Sequence, residues 1–162
     1  MLNEKNINSK NLILYHGSNI EVINPKIIPG KFTKDFGYGF YCTIKEQQAI
    51  RWSLRTGKGV VSIYNYNYSE NLNIKIFNDM TEEWLDFIVN CRNGKEHKYD
   101  IVEGPMADDQ IYNYITQFIQ GIINREQFWI MIKFNYPTHQ ICFCTERSLD
   151  TLVYKGCDYY DE

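Results

Sequence analysis

The stretch Phe36–Trp52, FGYGFYCTIKEQQAIRW, joins a segment rich in glycine and aromatic residues to a segment of helical character. Phe40–Thr43 is predicted to be a short strand because aromatic residues favour strands. Lys45–Leu54 is predicted to be a helix from the spacing of its apolar residues. A strand and a helix joined by so short a turn can pack together, so the rings of Tyr41 and Trp52 can enclose a flat ligand between them.

A second segment, Leu14–Ser18 (LYHGS), lies upstream of this stretch. Asn11–Tyr15 is an apolar run that predicts a first strand, and His16-Gly17-Ser18 is typical of a turn. An imidazole beside a glycine stands where the backbone can approach a ligand closely. The alternative interpretation, a histidine on the surface or a satisfied polar group in the core, stays open.

The remainder of the chain mixes short strands with helices, which favours the α+β class. The further predicted strands are Val60–Tyr68, Tyr99–Val102 and His139–Cys144. The further predicted helices are Met80–Arg92, Asp109–Ile123, Glu126–Phe134 (helix favoured over strand) and Glu146–Tyr154. Gly104-Pro105 is expected to end a strand, and Asp108 is expected to cap the helix that follows it.

The size and composition fit one domain at residues 11–162, preceded by a flexible lead-in at residues 1–10. The chain has 162 residues with 44% hydrophobic and 23% charged residues, which is enough to bury a core. Its formal net charge of -3 provides no general attraction for nucleic-acid backbones. We expect no membrane association, because no apolar run is long enough to span a bilayer.

The cysteines indicate a reducing compartment. The chain has 5 cysteines, an odd number, with no CxxC spacing and no export signal, so we expect reduced thiols and a cytoplasmic location. Cys142 and Cys144 alternate along a predicted strand and are expected to share one face. No metal site is expected, because a zinc centre needs more ligands at closer spacing.

Taken together, LYHGS, FGYGFYCT and the helix carrying QAIRW resemble the diphtheria-toxin-like branch of the ADP-ribosyltransferase superfamily, which includes the poly(ADP-ribose) polymerases. That branch has His-Gly-Ser/Thr on its first strand and Gly-x-Gly-aliphatic-Tyr on a later strand. An aromatic residue follows at the spacing that separates Tyr41 from Trp52 here. DIVEGPMADD and HQICFCTERSL extend a looser likeness to a family of small, uncharacterised bacterial proteins of that superfamily. The resemblance implies a split β-sheet core with flanking helices.

The resemblance also implies that NAD is the substrate. His16 would bond a ribose hydroxyl, Gly17 would offer its backbone to the nicotinamide carboxamide, and Tyr41 and Trp52 would stack on the two faces of the nicotinamide. The NAD-binding positions implied in this way are His16, Gly17, Ser18, Gly39, Tyr41 and Trp52. Ala49 or Ser53 stands near the position of a family serine that bonds the carboxamide.

A third motif carries a catalytic glutamate in the polymerases, and Gln140 occupies that position here. The implied catalytic set is therefore His16, Tyr41 and Gln140. A glutamine can bond the ribose 2′-hydroxyl through its amide oxygen, but it lacks the charge that stabilises a cationic transition state. Slower chemistry and single transfer are expected.

Other acids in the chain are candidates for proton transfer. Asp109 and Glu103 are candidate acid/base residues, with a first-turn helix acid as the alternative interpretation of Asp109. Asp35 is a candidate for the loop that lines the donor site.

The function implied is an NAD-dependent mono-ADP-ribosyltransferase that uses no metal and acts on a protein or nucleic-acid acceptor. By the same resemblance it would be a toxin controlled by a small antitoxin-like protein. Three alternatives stay open: a non-catalytic module that binds NAD or ADP-ribose, an NAD glycohydrolase with water as acceptor, and an interaction domain whose aromatic residues all belong to the core.

Overall fold

Two small β-sheets that meet at a backbone bridge form the framework of the protein. The computed structural model describes residues 5–30, 34–107 and 109–161. The strands are β1 (Leu12–Ser18), β2 (Phe40–Cys42), β3 (Gly59–Tyr66), β4 (Ile74–Ile76), β5 (Ile101–Met106), β6 (Thr138–Phe143) and β7 (Leu152–Tyr160). One sheet has the order β1-β3-β7 and the other has the order β2-β6-β5-β4.

The sheets separate just beyond the bridge between Tyr15 of β1 and Thr43, which follows β2. Each of these residues donates its backbone N–H to the other's carbonyl oxygen at 2.9 Å. Within the two sheets, the strand pairs are antiparallel except β4 and β5, which are parallel. Beyond the bridge, β1 and β2 diverge and leave an opening between the two sheets.

Five helices flank the sheets in the described part of the chain. They are α1 (Glu46–Ser53), α2 (Glu82–Arg92), α3 (Asp109–Ile119), α4 (Arg125–Ile132) and α5 (Glu146–Leu149), with a 3-10 turn at Leu54–Thr56 after α1. Thr81 caps α2 by accepting the Trp84 N–H, and Asn124 and Gln127 form a capping box at α4. None of these helices combines the length and the apolar character that a membrane crossing requires.

The buried core has two clusters, one on each side of the second sheet. Trp84, Ile111 and Phe128 belong to the cluster beneath α2, α3 and α4. Leu14 and Phe143 belong to the cluster between the two sheets.

The described part of the lead-in, residues 5–10, is attached to the second cluster through Ile7. Ile7 is fully buried in it, and its N–H donates to the Glu103 carboxylate at 2.9 Å. Residues 5–10 therefore differ from the flexible segment expected there.

The α+β class predicted from the sequence is confirmed. The helix favoured over a strand at Glu126–Phe134 is also confirmed, as α4. The turn predicted at His16-Gly17-Ser18 is wrong, because β1 continues through Ser18 in register with β3. The Gly17 and Ser18 backbone is extended because it pairs with Val61 and Val60.

The prediction of a helix over Glu146–Tyr154 is wrong after Leu149. The chain turns there and enters β7, which lies along the full length of β3. Pairing with a strand that lies far away in the sequence overrides the local helical preference. The short strand β4 is a further difference from the sequence prediction, and it owes its conformation to its pairing with β5.

Gly104-Pro105 does not end a strand but lies inside β5. β4 pairs only with residues 101–103 of β5, so Pro105 lies beyond the end of β4. Since that side of β5 is an edge there, the missing proline N–H breaks no ladder bond. The expected cap at Asp108 lies outside the described residues.

Candidate functional site

A cavity of about 550 Å³ opens where the two sheets separate. Its lining includes five residues that the sequence singled out: His16, Gly17, Tyr41, Trp52 and Gln140. They come from β1, β2, α1 and β6, so four separate elements place them around one space. Pockets of roughly 300–1,000 Å³ are typical of small-molecule sites.

His16 is fixed by two contacts. Its Nδ1 lies 2.6 Å from the Tyr41 carbonyl oxygen, and its ring stacks on Phe40 with centroids 4.1 Å apart. A carbonyl oxygen can only accept, so Nδ1 carries the proton of the neutral ring. Nε2 is therefore left as a hydrogen-bond acceptor.

The neutral state of His16 has a physical cause. The pKa of His16 is lowered to about 4, chiefly by burial and in smaller part by nearby Lys34, against the opposing effect of the Tyr41 carbonyl. An imidazole with this pKa is uncharged at neutral pH. The residue can accept a hydrogen bond from a hydroxyl, but it is a poor general acid there.

Gly17 combines a packing role with an open backbone edge. A Cβ at this position would lie 2.0 Å from the Ala49 carbonyl oxygen, so only glycine lets β1 approach α1 this closely. Backbone groups of a strand point alternately to its two sides. The backbone of Tyr15 bonds that of Thr43, so the N–H and C=O of Gly17, two residues further along β1, point to the same side of the strand. No described residue pairs with the Gly17 backbone on that side. Its N–H and C=O thus border the cavity.

Tyr41 is held by its hydroxyl. The hydroxyl donates to the Gly37 carbonyl oxygen at 2.6 Å and accepts the Phe36 N–H at 3.2 Å. Burial raises the pKa of the Tyr41 phenol, which therefore stays protonated. Lys34 Nζ lies 5.0 Å from the centre of the ring, so this face already attracts a cation.

Gln140 lines the cavity and is 3% exposed. Its Nε2 points to Asp35 Oδ2 at 3.5 Å. Asp35 in turn forms an ion pair with Arg92, at 2.6 Å between Arg92 NH2 and Asp35 Oδ1. Asp35, a candidate from the sequence, thus lines the cavity.

Other residues of the lining were not identified from the sequence, among them Arg55 and Tyr112. Arg55 lines the cavity from the 3-10 turn, and Tyr112 lines it from α3. Arg92 lies 4.0 Å over the ring of Tyr112 and so connects it to Asp35. A single sequence does not indicate that an isolated Arg or Tyr far from a motif belongs to a site. The tertiary structure shows that these two residues line the cavity.

Several expected site residues lie elsewhere. The Ser18 hydroxyl donates to the Ile20 carbonyl oxygen at 2.7 Å and does not line the cavity. Gly39 packs on β6, where a Cβ would lie 2.4 Å from Cys142 Sγ. Ala49 packs on Gly17, and Ser53 donates to the Ile50 carbonyl oxygen. Neither Ala49 nor Ser53 borders the cavity.

Of the two candidate acids, Glu103 lies away from the cavity. Glu103 is 4% exposed and accepts hydrogen bonds from the Ile7 N–H and from His139 Nε2, the latter at 2.8 Å. It lines a different, smaller cavity of about 230 Å³. Asp109 begins α3, and its side chain lies outside the described residues. An acid/base role for Glu103 at the larger cavity is therefore not supported.

The fold and the site define an α+β protein with a split sheet and an aromatic-walled cavity at the split. The chain belongs to a family described as a protein of unknown function (DUF3990), whose model matches residues 12–154. That range includes every cavity residue named above. No curated protein and no solved structure matches the chain.

Proposed function

We propose that this protein is an NAD-dependent mono-ADP-ribosyltransferase, which cleaves the nicotinamide–ribose bond and transfers ADP-ribose to a protein or nucleic-acid acceptor. One observation carries the proposal. A single cavity of about 550 Å³ is lined by His16 and Gly17 of one motif, Tyr41 and Trp52 of the other, and Gln140. Residues that belong only to a core would have no reason to share a solvent-accessible space.

The chemistry that such a site has to perform fits these residues. Breaking a glycosidic bond of this kind develops positive charge on the sugar, and catalysis depends on holding the leaving group and the ribose in a fixed orientation. Tyr41 and Trp52 offer aromatic surfaces to a flat nicotinamide. The Gly17 backbone offers both a donor and an acceptor to its carboxamide, and His16 Nε2 accepts from a ribose hydroxyl.

The charges around the cavity also suit NAD. Lys34 and Arg55 line it and bring positive charge near a site for a diphosphate. The negative charge of Asp35 is balanced by Arg92. The dianionic diphosphate of NAD would therefore lie near the positive charges of Lys34 and Arg55.

Incubation with NAD labelled in its adenylate portion, with and without a cell lysate, tests the proposal. We expect label on a macromolecule and release of nicotinamide, both abolished in Tyr41→Ala. The matched control is Tyr136→Ala, because Tyr136 is 86% exposed and does not line the cavity. Equal labelling by both variants would contradict the assignment of the site.

A second candidate function is a module that binds NAD or ADP-ribose without turnover. It is favoured by the neutral Gln140 and by the pairing of Asp35 with Arg92, which together leave no unpaired carboxylate among the described residues named at the cavity. Calorimetry with NAD beside a nicotinamide-release assay separates the two functions. Binding without release supports the module, and release of free ADP-ribose without a labelled acceptor supports a glycohydrolase.

The proposed setting is the cytoplasm, where the protein would act as a toxin restrained by a small antitoxin-like partner. All five cysteines are free, which suits a reducing compartment. Expression of the wild type with and without the product of an adjacent gene tests this setting. Growth arrest that the partner relieves, and that Tyr41→Ala does not cause, is the expected result.

A further inference from the structure

The carboxylate of Asp35 has a defined partner for each oxygen. Oδ1 accepts from Arg92 NH2 at 2.6 Å and from Arg92 Nε at 3.2 Å. Oδ2 accepts the Ala107 N–H at 3.2 Å and faces Gln140 Nε2 at 3.5 Å. Asp35 is 8% exposed, so this pattern is built into the protein and is not a surface contact.

The contact with Asp35 selects one orientation of the Gln140 amide. The two ends of a glutamine amide have almost the same shape but opposite hydrogen-bonding character. A carboxylate is only an acceptor, so the NH2 end is held toward Asp35 and the oxygen end is directed away from it. No described residue donates to Gln140 Oε1. Gln140 itself lines the cavity.

We propose that Asp35 is a positioning residue that holds the Gln140 amide oxygen toward the cavity as an uncharged acceptor for a hydroxyl group. If the proposed function is correct, that hydroxyl belongs to the ribose of NAD, and the inference rests on that function for the identity of the ligand. Arg92 keeps Asp35 in place and balances its charge. The Asp35 carboxylate polarises the amide, with the negative end of its dipole directed at the cavity.

The contact between Asp35 and Gln140 predicts how the site responds to a glutamate. The substitution Gln140→Glu restores the residue of the polymerases, but it places a second carboxylate beside Asp35. Like charges in contact disfavour ionisation of both groups. The new carboxylate is therefore expected to be unfavourable while Asp35 is present and to be accepted once the side chain at position 35 can donate a hydrogen bond.

The test compares Gln140→Glu, Asp35→Asn, the double variant that combines them, and Gln140→Met by thermal unfolding at pH 7.5 without ligand. We expect Gln140→Glu to lower the unfolding midpoint by about 2–4 °C in the wild-type background. In the Asp35→Asn background the same change should leave the midpoint unchanged or raise it, because the introduced amide donates to the introduced carboxylate. An equal effect of Gln140→Glu in both backgrounds would overturn the proposal.

A second measurement keeps the proposal testable if Asp35→Asn does not fold. Gln140→Met removes the acceptor at nearly constant volume, so Gln140→Glu is compared with it between pH 5 and pH 8. Among the described residues, the charged side chains that line the same cavity are those of Lys34, Asp35 and Arg55, with Arg92 behind Asp35, and its other titratable groups are His16, Tyr41 and Tyr112. Because the introduced carboxylate lies against Asp35, its ionisation is unfavourable. The unfolding midpoint of Gln140→Glu should therefore fall further below that of Gln140→Met as pH rises. A difference between the two midpoints that stays constant or shrinks with rising pH would overturn the proposal.

Calorimetry measures the NAD affinity, which would not change if Asp35 had a purely structural role. Gln140→Met and Asp35→Asn should each weaken NAD binding about tenfold, the value of one hydrogen bond. The double variant of Asp35→Asn with Gln140→Glu should recover much of the loss in Asp35→Asn, because the introduced carboxylate again presents an oxygen. Unchanged NAD affinity in Asp35→Asn would overturn the positioning role.

Failure of the proposed function and failure of the positioning role give different results. If the wild type does not bind NAD, the proposed function is wrong, while the coupling between positions 35 and 140 in the ligand-free unfolding data still decides whether Asp35 orients the amide. If the wild type binds NAD but no coupling appears, the proposed function stands and the role of Asp35 is wrong.

Discussion

Two histidines, His16 on β1 of the first sheet and His139 on β6 of the second, differ in what surrounds them. His139 uses both ring nitrogens, toward Glu103 at 2.8 Å and toward Thr43 at 3.2 Å. Its backbone also bonds the Gln48 side chain in both directions. His16 uses only Nδ1, toward the Tyr41 carbonyl oxygen.

The difference separates a structural network from a candidate site. The carboxylate, histidine and hydroxyl of Glu103, His139 and Thr43 have the order of a catalytic triad. However, Thr43 is 0% exposed and so cannot reach a substrate. Its hydroxyl also accepts the Lys45 N–H. A polar group whose partners are all supplied by the protein stabilises the fold, and one with an acceptor left over can serve a ligand.

The largest expected effect is on stability, in the His139 network. Glu103→Ala leaves the Ile7 N–H and His139 without their buried acceptor, so the free energy of unfolding should fall by about 3–4 kcal/mol. Urea denaturation measures it, with Glu70→Ala as the exposed control. The NAD affinity of the folded variant should equal that of the wild type. A loss below about 1 kcal/mol would place Glu103 outside the structural network.

The next effect is on turnover and separates the two histidines directly. His16→Ala removes the acceptor proposed to orient the ribose, and we expect NAD turnover to fall about a hundredfold. His139→Ala should lower stability while the folded fraction keeps its turnover. Single-turnover assays, corrected for the fraction of folded protein, measure the turnover of both variants. If His139→Ala lost turnover and His16→Ala kept it, the roles assigned to the two histidines would have to be exchanged.

A smaller effect is expected at the aromatic wall of the cavity. Trp52→Ala removes one stacking surface and should weaken NAD binding about tenfold. Titration calorimetry measures it, with Tyr136→Ala as the exposed aromatic control. Equal affinities for wild type and Trp52→Ala would mean that Trp52 only borders the site.

The last effect is a pH dependence of stability. The pKa of His16 is lowered to about 4 by burial, from about 6.5 in an unfolded chain. The stabilisation from the neutral ring is therefore complete above pH 6.5 and is lost as pH falls through that value toward 4. His16→Gln should flatten the fall in unfolding midpoint between pH 6.5 and pH 4. An unchanged slope would show that other groups cause the fall.

Much of the candidate site is predictable because its residues lie in short motifs. His16 and Gly17 share one motif, and Tyr41 and Trp52 share another at a fixed separation. The structure brings both motifs and Gln140 to one cavity. Ser18 and Gly39 belong to the same motifs but lie outside the lining, since the Ser18 hydroxyl bonds the Ile20 carbonyl oxygen and Gly39 packs closely on β6.

The remaining parts of the fold and site depend on contacts between distant segments. The sequence predicts helix at the start of β7 because Leu152–Tyr154 continues a helical pattern from Glu146. The pairing of β7 with β3 involves residues about ninety positions earlier, and such long-range contacts override local preference. Glu103 is a reasonable candidate acid in the sequence, and only its two partners, Ile7 and His139, show that its carboxylate is already occupied.

The α+β class, the positions of most helices and the two motifs of the cavity follow from the sequence, because local periodicity and turn residues depend on near neighbours. The pairing of Glu103 with His139 and the contact between Asp35 and Gln140 follow only from the tertiary structure. These pairs are 36 and 105 residues apart in the chain. The sequence determines how many hydrogen bonds each side chain can donate and accept. Whether the protein or a ligand provides the partners depends on which distant groups the fold brings within hydrogen-bonding distance.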